Sequence, residues 1–157
     1  LSLQPHVYIA ECSVGRGLFA GEPIAAGTEI LRLTGPLLTL NEVREKGPVQ
    51  AANALQIGID RYLDLDEPAR FINHSCAPNA AVMGDTRLVA IRFIGAGEEV
   101  RFDYSTTISD GWTMSCRCGA AECRGLIVAF QLLPENIRRR YAILGHVQRF
   151  MIEQVGS

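Results

Sequence analysis

Three cysteines within eight residues, Cys116-Arg117-Cys118 followed by Cys123, constrain this chain more than any other feature. The C-x-C-x4-C spacing is a poor layout for a disulfide framework and a good one for thiolates converging on a soft metal ion. A structural zinc site closes a tetrahedron with four sulfur or nitrogen ligands, so the local triplet is one donor short. The chain holds five cysteines and three histidines, and the fourth donor is open between Cys76, Cys12 and a histidine. Ligand softness favours zinc and also suits iron. Persistent free thiols fit a reducing compartment.

With 157 residues, 48% of them hydrophobic, the sequence fits one domain that can bury a core without disulfide staples. Its longest apolar stretches, residues 51–59 and 126–133, fall short of the ~20 apolar residues that a spanning helix needs. Leu1-Ser2-Leu3-Gln4-Pro5-His6 lacks the basic start and apolar core of a secretory signal. The expectation is an intracellular protein, of the cytoplasm or nucleus, with no membrane contact. A formal charge of -2 gives no basic footprint, so no direct nucleic acid binding is expected, and Arg138-Arg139-Arg140 reads as a solvated helix face.

From Val7 to Phe93 short apolar runs alternate with Gly, Pro, Asn and Asp, the pattern of a β-rich fold. Residues 7–10, 17–20, 29–33 and 87–93 are the clearest strands. Ala25-Ala26-Gly27 and Gly95-Ala96-Gly97 read as tight turns, each followed by an acidic residue and a strand, an internal echo. After Pro134 the period changes. Ile137, Tyr141, Leu144, Val147 or Gln148, and Met151 recur at helical steps, with Pro134-Glu135 suited to the start and Gly145 a point of division. Such a stripe serves as core packing or as a homodimer surface, and core packing is the commoner use.

Arg70-Phe71-Ile72-Asn73-His74-Ser75-Cys76-Ala77-Pro78-Asn79 concentrates hydrogen-bonding side chains between an apolar segment and a Pro-Asn turn. Alone, an Asn-His pair is a satisfied loop network, and Phe102-Asp103-Tyr104 could be a strand end. The order along the chain carries more: Gly15-Arg16-Gly17, then the Asn-His segment, then Gly97-Glu98-Glu99-Val100-Arg101-Phe102-Asp103-Tyr104, then the three cysteines. That order resembles the SET-domain family of protein-lysine methyltransferases with a zinc-binding post-SET tail. The resemblance implies a mainly β fold of small curved sheets with a pseudoknot-like threaded segment, plus a C-terminal helical segment. It divides the chain into a SET domain over 7–107, a post-SET segment over 108–127 and a helical extension over 134–155.

The resemblance also implies roles. Gly15, Arg16 and Gly17 resemble the turn that receives S-adenosylmethionine, and Asn73 and His74 resemble cofactor contacts. Tyr62 is similar to a cofactor-facing tyrosine, across a shortened segment. Cys76 becomes the fourth zinc ligand beside Cys116, Cys118 and Cys123, and Cys12 a small buried residue. Tyr104 resembles the catalytic tyrosine of a lysine channel that also holds Phe102 and Leu33. Phe102 lacks the hydroxyl of the alternative tyrosine, so di- or trimethylation is sterically allowed.

Leu33 stands where many members carry a tyrosine. This motivates a second reading, a catalytically inactive SET-like binding or interaction module, unless Tyr62 or Tyr141 supplies the hydroxyl. The implied activity is S-adenosylmethionine-dependent protein-lysine N-methylation, with a lysine-containing protein or peptide, histone tails first, as substrate. Residues 36–59, at the position of the family's variable insertion, contain no readable peptide code.

Overall fold

Burial in the N-terminal hairpin sets the first layer: Leu18 and Ala20, two residues apart on one face, are fully buried, while the strand's outer end at Gly15 and Arg16 is exposed. The computed structural model describes residues 4–155, so only part of the leader reading over residues 1–6 falls within it. In chain order the elements are β1 (Val7–Cys12), β2 (Gly15–Ala20), β3 (Glu29–Arg32), β4 (Leu37–Leu38), α1 (Leu40–Glu45), α2 (Pro48–Ala51), β5 (Ala54–Gly58) and β6 (Arg61–Asp64). They continue with β7 (Asn73–His74), β8 (Ala80–Met83), β9 (Arg87–Ala90), β10 (Glu99–Phe102), β11 (Met114–Ser115), β12 (Leu126–Ile127) and α3 (Glu135–Leu144).

Among the described residues four small sheets result, ordered β1-β2-β10-β7, β3-β9-β8, β4-β6-β5 and β11-β12. A mainly β fold of small sheets with a C-terminal helix is what the sequence implied. Leu18, Ile24, Ile30, Leu88, Ile94 and Val100 are at most 1% exposed and join the first two of these sheets in one core, while Ile127 of β12 packs separately with Cys76 and Cys116. Each buried aliphatic side chain of this kind contributes roughly 1.5–3 kcal/mol.

The internal echo is structural. Ile24 and Ile94 exchange backbone hydrogen bonds at 2.8 and 2.9 Å, and each is followed by a turn closed by a glycine, Gly27 with φ 88° and Gly97 with φ 84°. Left-handed backbone of this kind favours glycine. Because that bridge is antiparallel, the two turns leave it in opposite directions: the Gly27 N–H donates to the Ala90 carbonyl and the Gly97 N–H to the Ala20 carbonyl, each at 2.7 Å.

α3 ends where the sequence suggested. Gly145 adopts left-handed geometry (φ 70°, ψ 20°), and the His146 N–H donates back to the Tyr141 carbonyl at 3.0 Å. Tyr141, Val147, Phe150 and Met151 pack with Phe130 and Leu133 in a second cluster. Leu144, the last residue of the helix, departs from the expected stripe and is 53% exposed. The chain then returns to the β8–β9 turn, where the fully buried Gln148 amide donates to the carbonyls of Gln56 (2.7 Å) and Asp85 (3.0 Å). Among the described residues no helix is long and apolar enough to cross a membrane.

Candidate active site and metal centre

β10 organises the site because it pairs on both edges. It runs antiparallel to β2 (Glu99 opposite Phe19, Val100 opposite Leu18) and parallel to β7 (Arg101 opposite Asn73, Phe102 opposite His74). The pairing brings together three motifs that are far apart in sequence. The Asn73 amide donates to the Arg16 carbonyl at 3.0 Å and to Glu99 Oε2 at 2.9 Å. A Cβ on Gly17 would stand 2.5 Å from that Glu99 oxygen and 3.1 Å from the Asn73 nitrogen. Gly17 is thus a close-approach glycine, and the Gly15-Arg16-Gly17 backbone, Asn73 and Glu99 form one polar cradle. The Arg16 guanidinium lies 4.6 Å from the centre of the Phe71 ring, closing its outer side.

On the other side of β7 lies a cavity of about 380 Å³. Its walls include Leu55, Tyr62, Leu65, Ile72, Phe102, Tyr104, Ile108 and Trp112, with α1 and α2 contributing Leu40, Val43 and Ala51. Ile72 faces this cavity and Asn73, the next residue, faces the cradle, so the two spaces are one residue apart. The Phe102 and Tyr104 rings lie 5.0 Å apart between centroids. The Tyr104 hydroxyl donates to the Ile72 carbonyl at 2.5 Å, and the Tyr104 N–H donates to His74 Nδ1 at 3.0 Å. Burial, helped by the Glu99 carboxylate, pushes the Tyr104 phenol well above its ordinary range and keeps it protonated.

Asp103, between the two aromatic residues, is 1% exposed. Its Oδ1 accepts the Ser105 N–H at 3.0 Å and the Arg124 guanidinium at 2.8 Å, and its Oδ2 accepts the Tyr141 hydroxyl at 2.7 Å. The carboxylate is therefore paired and hydrogen-bonded, as a buried charge must be.

The thiols converge. Cys76 Sγ lies 3.8 Å from Cys116 Sγ, which lies 3.6 Å from Cys123 Sγ; the Cys76 N–H donates to Cys118 Sγ at 3.4 Å. A zinc–sulfur bond of about 2.3 Å gives a tetrahedron edge of about 3.8 Å, so these separations suit zinc. His74 is also close, its donor atom lying with those of Cys76, Cys116 and Cys118 within a 4.8 Å span. Its role differs. Burial lowers the His74 pKa to about 4, so the ring is neutral. With Nδ1 accepting from Tyr104, the proton sits on Nε2, which donates to Cys76 Sγ at 3.3 Å. A protonated nitrogen cannot ligate, and His74 instead supports a cysteine. Burial raises Cys76 and takes Cys116 to about 12; it also opposes ionisation of Cys118, but N–H donors from Cys76 and Ala120 outweigh it and bring that thiol to about 6. Cys12 stands apart, 3.5 Å from the Asn73 amide.

Two expected site residues lie elsewhere. Leu33 is 2% exposed in the main core and is not among the cavity-lining residues. Tyr62 lines the cavity rather than the cradle, because β6 pairs with β4 and β5 and sets it opposite Leu38 and Gln56. Its hydroxyl donates to Asp110 Oδ2 at 2.9 Å. Tyr141 serves Asp103. Glu99, Asp110, Trp112 and Arg124 were not singled out from sequence; only Glu99 lies within a motif read there, and the others sit in loops without a periodic signal.

The SET domain family model matches residues 15–105, more than half of the chain. Relatives include the H3 lysine-4 specific histone-lysine N-methyltransferase of Kluyveromyces lactis, 34% identical over a 129-residue alignment that covers 71% of this chain and 13% of that protein. Histone-lysine N-methyltransferase 2B of Homo sapiens is 35% identical over 126 residues (70% and 5%), and histone-lysine N-methyltransferase ASHH1 of Arabidopsis thaliana is 30% identical over 131 residues (73% and 27%). Among solved structures, a humanized mutant of the Chaetomium thermophilum Polycomb Repressive Complex 2 bound to the inhibitor GSK343 aligns with TM-score 0.60 and 22% identity, covering 69% of this chain and 16% of that one. The chain belongs to the SET-domain family. It spans less than a third of the length of each of these curated relatives.

Proposed function

We propose that this chain is an S-adenosylmethionine-dependent protein-lysine N-methyltransferase that acts on histone tails or another lysine-rich protein. The observation that carries this reading is the one-residue wall: Ile72 lines an apolar cavity ending at Phe102 and Tyr104, while Asn73 lies in a polar cradle with the Gly15-Arg16-Gly17 backbone. Two reactants entering from opposite sides would meet there, and holding them in line is most of what methyl transfer requires. Both Asn73 N–H bonds are already spent on the Arg16 carbonyl and Glu99 Oε2, so the cradle would meet the ammonium of an amino-acid-like ligand with acceptors, the Asn73 side-chain oxygen and the second Glu99 oxygen, beside the Gly15-Arg16-Gly17 backbone. Bound S-adenosylmethionine would supply the activated methyl group.

The protein's own residues prepare the amine. A lysine ordinarily titrates near ~10.4 and must lose its proton to expose a lone pair. The apolar wall of Leu55, Leu65, Ile72 and Phe102 disfavours the ammonium form by desolvation. Tyr104 stays a neutral phenol, donates to the Ile72 carbonyl and keeps its oxygen lone pairs for an incoming N–H. Phe102 adds no polar group, so room remains for more than one methyl. Tyr62 lines the same cavity, but its hydroxyl is bound to Asp110, so the active-enzyme reading rests on Tyr104 and not on a replacement for the hydroxyl that Leu33 lacks.

Cys76, Cys116, Cys118 and Cys123 would hold one structural zinc, with residues 108–127 as a post-SET segment following a SET domain over 7–107 and with 134–155 as a helical extension. Four thiolates leave no open position for an activated water, so the metal's part is structural. Action on histones would place the protein in the nucleus.

The test is transfer of tritiated methyl groups onto a panel of histones and lysates, with Tyr104→Phe as the control. Label on lysine that falls by about 10²-fold or more in Tyr104→Phe supports the reading. Equal labelling by both proteins, or no S-adenosylmethionine binding by calorimetry, would overturn it.

A further inference from the structure

Asp110 is a carboxylate in the cavity wall with no cation of its own. Its Oδ2 accepts the Tyr62 hydroxyl and its Oδ1 accepts the Trp112 N–H, each at 2.9 Å. Several carboxylates of the described residues, Asp60, Asp66 and Glu99 among them, likewise have no basic nitrogen within 4.0 Å; Asp110 differs in being the one carboxylate among the cavity-lining residues. Arg44 of α1 lines the same cavity without pairing to it. Two neutral donors orient the charge and leave it uncompensated. A carboxylate takes about four donors, so two sites stay open. The position is a rim: Gly111 is exposed, and Asp110 and Trp112 are half-buried.

We propose that Asp110, aimed by Tyr62, is a subsite for an arginine or lysine side chain that flanks the methylated lysine in the substrate, an inference that rests on the methyltransferase reading above. The reacting lysine itself is a poor occupant. A carboxylate beside it would hold the ammonium protonated, against the need of the reaction. The apolar end at Ile72, Phe102 and Tyr104 suits that amine, and the acidic rim suits its neighbour. Of the two cations, arginine fits best, since its planar fork can meet both free lone-pair directions.

The experiment uses the zinc-loaded full chain with S-adenosylhomocysteine and fluorescent nine-residue peptides. Each has one central lysine in an alanine–glycine–serine background, with a single arginine walked through the flanking positions. Anisotropy reads binding, and tritiated S-adenosylmethionine reads transfer. At one position arginine tightens Kd by about tenfold over the neutral peptide, as a partly buried charge-assisted hydrogen bond does. Asp110→Asn brings that ratio to one, Tyr62→Phe lowers it in part, and Asp110→Lys reverses it toward glutamate. A ratio that survives Asp110→Asn, equal weakening of both peptides, or no favoured arginine position would overturn the proposal. Arginine-dependent binding without methyl transfer would keep the subsite and sink the catalytic reading; transfer without arginine dependence would do the reverse.

Discussion

The Tyr141 hydroxyl donates to Asp103 Oδ2 at 2.7 Å, tying α3 to the segment that carries Tyr104. Arg124, just after the last clustered cysteine, holds the other oxygen at 2.8 Å. One buried carboxylate therefore joins strand end, cysteine tail and C-terminal helix. Tyr141→Phe removes one of its donors and should cost about 1–3 kcal/mol. Arg124→Met strands the charge and should cost about 3–5 kcal/mol. Urea denaturation of both variants and of the double variant checks this. The two losses should not add, because they share one acceptor.

Phe102 is 5% exposed and its ring lies against Tyr104 in the cavity wall. Phe102→Tyr would place a second hydroxyl where the amine is expected, fixing a water or the amine and filling the space that a second methyl needs. Products should shift toward monomethyl-lysine in a mass-spectrometric time course. An unchanged distribution would remove Phe102 from the site.

Local patterns carried much of the fold. The strands over 7–10, 17–20 and 29–33, the paired glycine turns and the stop at Gly145 follow from alternation, turn chemistry and a left-handed cap, all readable within a few residues, whereas the strand expected over 87–93 ends at Ala90. α1 escaped, although Thr39 caps it by accepting the Glu42 N–H and the Thr-x-x-Glu spacing is a start signal. Its six residues are too few for a helical period to emerge. The site was legible as motifs but not as geometry. Asp110 gains its meaning from Tyr62, 48 residues away, and Gln148 from Gln56, 92 residues away. No window of sequence contains such pairs, and only strand pairing sets whether Tyr62 faces cradle or cavity.

Cys118 and Cys12 separate the metal centre from mere thiol content. Cys118→Ser removes one of four proposed ligands, and zinc affinity should fall at least the roughly 10- to 100-fold that loss of an outer partner alone costs. Because Cys76 directly follows the Asn73-His74-Ser75 segment, cofactor affinity should weaken too. Cys12→Ser should keep full zinc content. Metal analysis, thermal melts and calorimetry with S-adenosylmethionine read all three effects. Unaltered zinc, stability and affinity in Cys118→Ser would end the proposal that a zinc ties residues 73–76 to the cysteine tail.

Alkaline pH tests the buried tyrosines. Burial raises Tyr62, Tyr104 and Tyr141 well above the ordinary phenol range, with the nearby carboxylates Asp110, Glu99 and Asp103 adding to it. In the unfolded chain they would titrate near ~10. Above that pH the unfolded state has lost protons that the folded state retains, so the stability contributed by the neutral phenols is complete below pH ~10 and declines as pH rises. The slope reaches about 1.4 kcal/mol per pH unit for each tyrosine. Urea melts between about pH 8 and 11 should show this loss, and Tyr62→Phe should flatten it by one tyrosine's share. Because Tyr104 keeps its proton, the kcat/KM profile should show no descending limb near pH ~10 from this residue. A limb there that vanishes in Tyr104→Phe would mean the phenol ionises in the working enzyme.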